Sequence, residues 1–133
     1  MTFMRRTSRA RVPAPGVEQP LCHATIAGWR QWLRNHHGRD TGVWVRIAKK
    51  GTRPGVRYLE ALEEALCWGW IDGKIHRQDD QYFVQWFSPR RSRSIWSLAN
   101  RRTAERLVAE GRMQPAGLAK VAEAKRSGRW SAA

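Results

Sequence analysis

Three arginines, Arg90, Arg91 and Arg93, stand within the run Ser88-Pro89-Arg90-Arg91-Ser92-Arg93-Ser94. Guanidinium forks match the oxygen geometry of phosphate and carboxylate groups. Ser94 has the chemistry of a helix N-cap, so the run is expected to lead straight into a helix start. Free N–H groups and the positive end of the helix dipole attract anions at such a point. Trp86 and Trp96 flank the run and can add stacking, as in proteins that hold single strands. An anion site is therefore predicted here, with no preference for one anion. The plain alternative is an arginine-rich edge that only faces water.

A second constellation is Trp68-Gly69-Trp70-Ile71-Asp72-Gly73. A helix stop runs into a strand, then a carboxylate, then a glycine. Asp is depleted in strands, which marks Asp72 for a specific job: a cap, an ion pair to an arginine such as Arg90, or acid–base work. His76 is the one obvious acid–base partner, and at a period of two residues Asp72 and His76 share a strand face. An enzyme reading thus centres on Asp72, His76 and Arg90, with Arg90 orienting an anionic substrate. It requires all three side chains within hydrogen-bond reach. Cys22, His23, His36 and His37 make a poor metal set, because adjacent histidines lack i, i+4 spacing and no third ligand has motif spacing. No metal and no cofactor are predicted. Asn100 is expected as a buried, hydrogen-bonded amide, and Cys67 as a small buried hydrophobe. The chain has no Walker loop, dinucleotide glycine fingerprint or nucleophile elbow.

The scaffold that must carry these groups is an α+β domain. A chain of 133 residues, 41% of them apolar, suits one domain with its own core. Eight Trp deepen that core. A buried Trp hides about 150–250 Å², a gross gain of roughly 4–6 kcal/mol each at ~25 cal/mol/Å². Most are expected to pack rather than to stack on ligands.

Residues 1–20 are basic and Pro/Gly-punctuated and read as a disordered arm, leaving residues 21–133 as the domain. Helical spacing predicts a helix from Ala24 to His37 through Ile26, Trp29 and Leu33. Alternation of Val43, Val45 and Ile47 predicts a strand ending at Lys49-Lys50. A helix from Arg57 to Trp68 follows, with Tyr58, Ala61, Leu62, Ala65 and Leu66 on one apolar face and Glu60, Glu63 and Glu64 on the other. Trp70–Arg77 and Gln81–Phe87 read as a hairpin, its second strand central or covered on both sides because both faces carry aromatics. The helix after Ser94 turns Trp96, Ala99, Asn100, Thr103, Leu107 and Val108 inward. Pro115 opens a last short helix carrying Leu118, Val121 and Ala122. The sum is a small antiparallel sheet of about three strands packed with four helices.

Lys+Arg number 25 against 11 Asp+Glu, a formal net charge of +14. That excess favours nucleic acid or another polyanion as partner; a protein partner stays open. No apolar run reaches the ~20 residues of a membrane helix, so no integral membrane segment is expected. Arg5-Arg6 precedes no apolar export region, and the cytoplasm is the default compartment.

Several stretches together resemble the YdeI/OmpD-associated family of bacteria and archaea, also labelled bacteriocin-protection proteins. They are Trp29-Arg30-Gln31-Trp32-Leu33 with His36-His37, Val43-Trp44-Val45 with Lys49-Lys50, and Ala65-Leu66-Cys67-Trp68-Gly69-Trp70-Ile71-Asp72-Gly73. Phe87-Ser88-Pro89-Arg90, Ser94-Ile95-Trp96-Ser97, Glu110-Gly111-Arg112-Met113-Gln114-Pro115-Ala116-Gly117 and Gly128-Arg129-Trp130 complete the resemblance. The resemblance covers nearly everything after residue 21. It implies the same fold unit and a link to bacteriocin or antimicrobial-peptide resistance, and it carries no catalytic residue. Its motif positions add Lys49, Lys50 and Arg112 to the anion-binding candidates. Longer members continue past Gly128-Arg129-Trp130 into a further helical segment, which is expected to be missing here. The leading expectation is a binding or stress-related domain without catalysis, whose basic surface meets nucleic acid or a phosphorylated ligand. A small enzyme at Asp72, His76 and Arg90 is the alternative, and a Trp-rich protein-interaction module a further one.

Overall fold

Four helices and three strands follow one another in the order α1 (Ile26–His36), β1 (Val43–Ala48), α2 (Tyr58–Cys67), β2 (Trp70–Arg77), β3 (Tyr82–Pro89), α3 (Leu98–Ala109) and α4 (Pro115–Ser127). They belong to a computed structural model that describes Leu21 and residues 25–131. The predicted arm over 1–20, and Cys22 and His23, lie outside the described residues.

The strands form one antiparallel sheet in the order β1-β3-β2, so β3 is central. Directly paired residues share a face, and successive residues alternate. One face therefore carries Val43, Val45 and Ile47 of β1 opposite Phe87, Gln85 and Phe83 of β3. Helices pack against this face: the Trp29 ring of α1 lies 5.4 Å from Phe87, and Trp32 meets Trp70 edge-on at 5.7 Å. The buried indoles find acceptors as they pack, Trp29 Nε1 donating to Ala61 O at 3.1 Å and Trp70 Nε1 to His37 O at 3.0 Å. Trp29, Trp68, Trp70 and Trp96 are buried, whereas Trp32, Trp44, Trp86 and Trp130 are half-buried.

Helix α2 is the hub, touching α1, α3, α4, β1 and β2. Its N-terminus is held by Glu60, whose carboxylate accepts the Arg57 N–H at 3.1 Å. Gly69, at φ +81°, takes the left-handed turn that sends the chain from α2 into β2. Gly117 lets α4 lie directly on the end of α2, because a Cβ there would sit 2.8 Å from Leu66 O. Enclosure of α2 corrects one expectation: Glu64 is not on a solvated stripe but is buried.

Helix α3 corrects another. Its N-cap is Ser97, which accepts the Asn100 N–H at 3.1 Å, and not Ser94. The first helical residue is Leu98, so Trp96 precedes the helix and plunges into the core. With the start moved, Ala104 and Leu107 are the buried residues of α3, while Ala99 and Val108 are exposed. Leu118 and Ala122 of α4 are likewise exposed, and Gly117, Val121 and Ala124 face inward.

Candidate functional site

Arg90 is the first residue past β3, and its backbone N–H donates to Gly69 O at 2.9 Å. Its side chain turns inward and is 4% exposed. The guanidinium lies 3.8 Å from the Trp96 ring centroid, while Nη2 donates to Ser94 Oγ at 2.6 Å and to Ile95 O at 3.4 Å. Trp96 in turn packs 5.1 Å from Trp130. Burial pulls the Arg90 guanidinium down to about 10, and the Asp72 carboxylate partly offsets that fall. Arg90 therefore organises its own loop. Trp96 is covered by it and offers no free ring to a ligand, and Ser94 serves as its acceptor rather than as a helix cap. Arg91 and Arg93 stay exposed on the same loop.

Asp72 and His76 do not meet. Asp72 pairs with Phe87 and so lies on the helix-covered face, where its Oδ2 accepts from Tyr58 Oη at 2.8 Å and Gln85 Nε2 at 3.4 Å. Burial, then the hydrogen bond and charge of Asp72, push the Tyr58 phenol up to about 12. Between Asp72 and Ile75 the register shifts by one residue, placing Gly73 and Lys74 opposite Trp86. This β-bulge reverses the alternation. His76 consequently pairs with Val84 on the other face, its ring 5.0 Å from Trp44. Asp72 and His76 thus lie on opposite faces of the sheet, and the structure does not bring the Asp72, His76 and Arg90 side chains together.

On that second face the structure gathers a set of aromatic and basic groups. Trp44 and Trp86 pair across β1 and β3 with ring centroids 5.3 Å apart, and Trp44 reaches over Val84 to His76. Val84 is only 2% exposed although the helices pack on the opposite face, because these larger groups close over it. Arg46 lies 4.0 Å above the Tyr82 ring, a cation–π geometry. Gly42 makes room for Trp86: a Cβ there would stand 2.7 Å from the indole. Beside Trp86 opens a cleft of about 440 Å³ lined by Thr41, Ser88, Arg91 and the Asp40 carboxylate, among others.

The remaining candidates are dispersed. Lys49 and Lys50 sit at the far end of β1, where Lys49 Nζ donates to Asp79 O at 3.0 Å. Arg112 is on the helical side and engages Glu63 at 3.2 Å, Glu110 at 3.5 Å and Glu64 at 3.8 Å. Glu63 also pairs with Arg106. Its ion pairs tie the α3–α4 connection to α2. Glu64 Oε1 also accepts from Arg30 Nε at 3.1 Å. His36 Nδ1 and His37 Nδ1 donate to the carbonyls of Trp32 and Leu33 in their own helix turns. Among the described residues no group of three or more His, Cys, Asp or Glu is placed to hold a metal ion, and no helix is long and apolar enough to cross a membrane.

Sequence reasoning missed Trp44, Arg46, Arg30 and Glu64. The alternation over Val43–Ala48 already puts Trp44 and Arg46 on one strand face. Glu64 carries no comparable signal, because its partners come from α1 and from the α3–α4 connection. No curated protein and no solved structure matches the chain. Residues 21–120 match the model of a family described as a domain of unknown function (DUF8412), and the chain belongs to that family.

Proposed function

We propose that this protein binds single-stranded nucleic acid across the sheet face that its helices leave open. The observation that carries the reading is the cluster of Trp44, Trp86 and His76 rings on that face, bordered by Arg46 and by exposed Lys74 and Arg91. Bases of any sequence stack on such rings, worth about 1–3 kcal/mol per base, while cations follow the backbone. The formal charge of +14 supplies the long-range attraction. Arg91 and Arg93 provide the phosphate contacts, and Arg90 holds the loop that presents them.

Single- and double-stranded DNA and RNA oligonucleotides, titrated at several salt concentrations against wild type, Trp86→Ala and Arg91→Ala, test this. Loss of one stacked base predicts single-strand binding weaker by roughly 5- to 150-fold in Trp86→Ala with an unchanged salt slope. Arg91→Ala should lower the log–log slope by about 0.7, one single-strand phosphate contact. Binding that vanishes at moderate salt and is equal in all three proteins would reduce the charge to a nonspecific field and defeat the proposal.

A further inference from the structure

A second cleft, of about 330 Å³, lies on the helical side and is lined by Arg30, Arg34, Glu64, Trp68, Arg112 and Gln114. Three separate segments supply these residues: α1, α2 and the α3–α4 connection. The Glu64 side chain is 6% exposed and takes the Arg30 Nε–H at 3.1 Å. Arg30 spends only Nε on that bond, both of its Nη groups are without a partner among the described residues, and 44% of its side chain is exposed. Arg34 stands one helical turn further on the same face of α1, its guanidinium 6.0 Å from the Trp68 ring centroid and in no ion pair among the described residues. Trp68, 7% exposed, closes one side of the cleft.

The charge of the lining points the same way. Three guanidinium groups against one carboxylate leave it at +2. Glu63 and Glu110 stand behind and are shared by Arg106 and Arg112, which lowers the surplus of the wider set to +1. We propose that this cleft binds a small molecule through an oxyanion group, phosphate or carboxylate. The Arg30 and Arg34 forks grip the oxygens, and the Trp68 ring walls the cleft. Glu64, itself paired with Arg112 at 3.8 Å, positions Arg30 through its Nε. The site is independent of the sheet face and stands whether or not that face binds nucleic acid.

Calorimetric titration of the full chain with inorganic phosphate, and separately with acetate, tests it at ionic strength held constant with NaCl. The probes bind saturably at one site per chain. Arg34→Gln, which breaks no ion pair among the described residues, weakens binding by about tenfold or more. Arg102→Gln removes an exposed arginine of α3 and leaves the affinity unchanged. Saturation by phosphate alone assigns a phosphate ester, and saturation by acetate alone assigns a carboxylate; either supports the site. Heats that fail to saturate with both probes, or saturable binding that Arg34→Gln leaves intact, would overturn it.

Discussion

Replacing Glu64 by Gln is the sharpest test of the charge network behind α2. Gln keeps the shape and removes the charge. The bond from Arg30 Nε, at 3.1 Å, then falls from a charge-assisted to a neutral one. Charged hydrogen bonds contribute about 1.5–3 kcal/mol and neutral ones about 0.5–1.5. Arg30 is 44% exposed and Arg112 is 37% exposed, so both recover hydration when released, which holds the loss to about 1–2 kcal/mol. At about 2.1 cal/mol/K per residue, unfolding 133 residues carries roughly 280 cal/mol/K, so each kcal/mol lowers Tm by about 3–4 °C. Thermal unfolding followed by circular dichroism should therefore show Glu64→Gln about 4–7 °C below wild type. Glu105→Gln, an exposed change on α3, should stay within about 2 °C, since surface substitutions rarely exceed ~0.5 kcal/mol. The difference should persist at high salt, because buried charges are screened far less than exposed ones. A Glu64→Gln protein that melts with wild type would mean that the carboxylate carries no net stabilisation, and the burial argument would fall.

Three further outcomes are expected. Gly117→Ala should lower stability by about 1–3 kcal/mol, as overpacking does, because the new methyl meets Leu66 O; an unchanged Tm would show that α4 slides freely on α2. Cys67 is buried, and burial, helped by the charge of Glu64, pushes its thiol up to about 11. A thiol reagent at pH 8 should therefore label it only after urea unfolding, and rapid labelling of the native protein would contradict the packing. Tyr58 has its phenol raised from 10.0 to about 12. A raised phenol contributes stability that is full below pH 10 and is lost as pH climbs from 10 through 12. Tyr58→Phe should flatten the fall in Tm over that window, and an identical alkaline profile in both proteins would show that another group governs it.

The elements are legible in the sequence where one face is simply apolar. Val43, Val45 and Ile47 alternate as a half-covered strand must, and aromatics on both sides of Tyr82–Phe87 mark a strand that is central or covered on both faces, of which the structure shows the first. What escaped depends on residues far apart in the chain. Two serines three positions apart, Ser94 and Ser97, have equal capping chemistry, and the choice is made by Arg90, which takes the Ser94 hydroxyl for itself. Glu64 looks solvated on a helical wheel until α2 is seen enclosed, with Arg30 and Arg112 reaching its polar stripe from two other segments. The pairing of Asp72 with His76 rested on unbroken alternation. Gly73, directly after Asp72, was the available sign of a bulge, since glycine inside a strand often marks one. The aromatic cluster around Trp44 is visible only once the helices are known to share the opposite face.

The bulge at Gly73-Lys74 also fixes where β2 tolerates a change in length. Its irregularity is one supernumerary residue opposite Trp86, and the pairing on either side is regular. Deleting that residue straightens the strand and leaves Ile75, His76 and Arg77 on the faces they already occupy. The same deletion two positions later would turn Arg77 over onto the face of Trp44 and withdraw it from Phe83. Descendants of this chain that are one residue shorter can therefore arise at the bulge with both surfaces of the sheet intact.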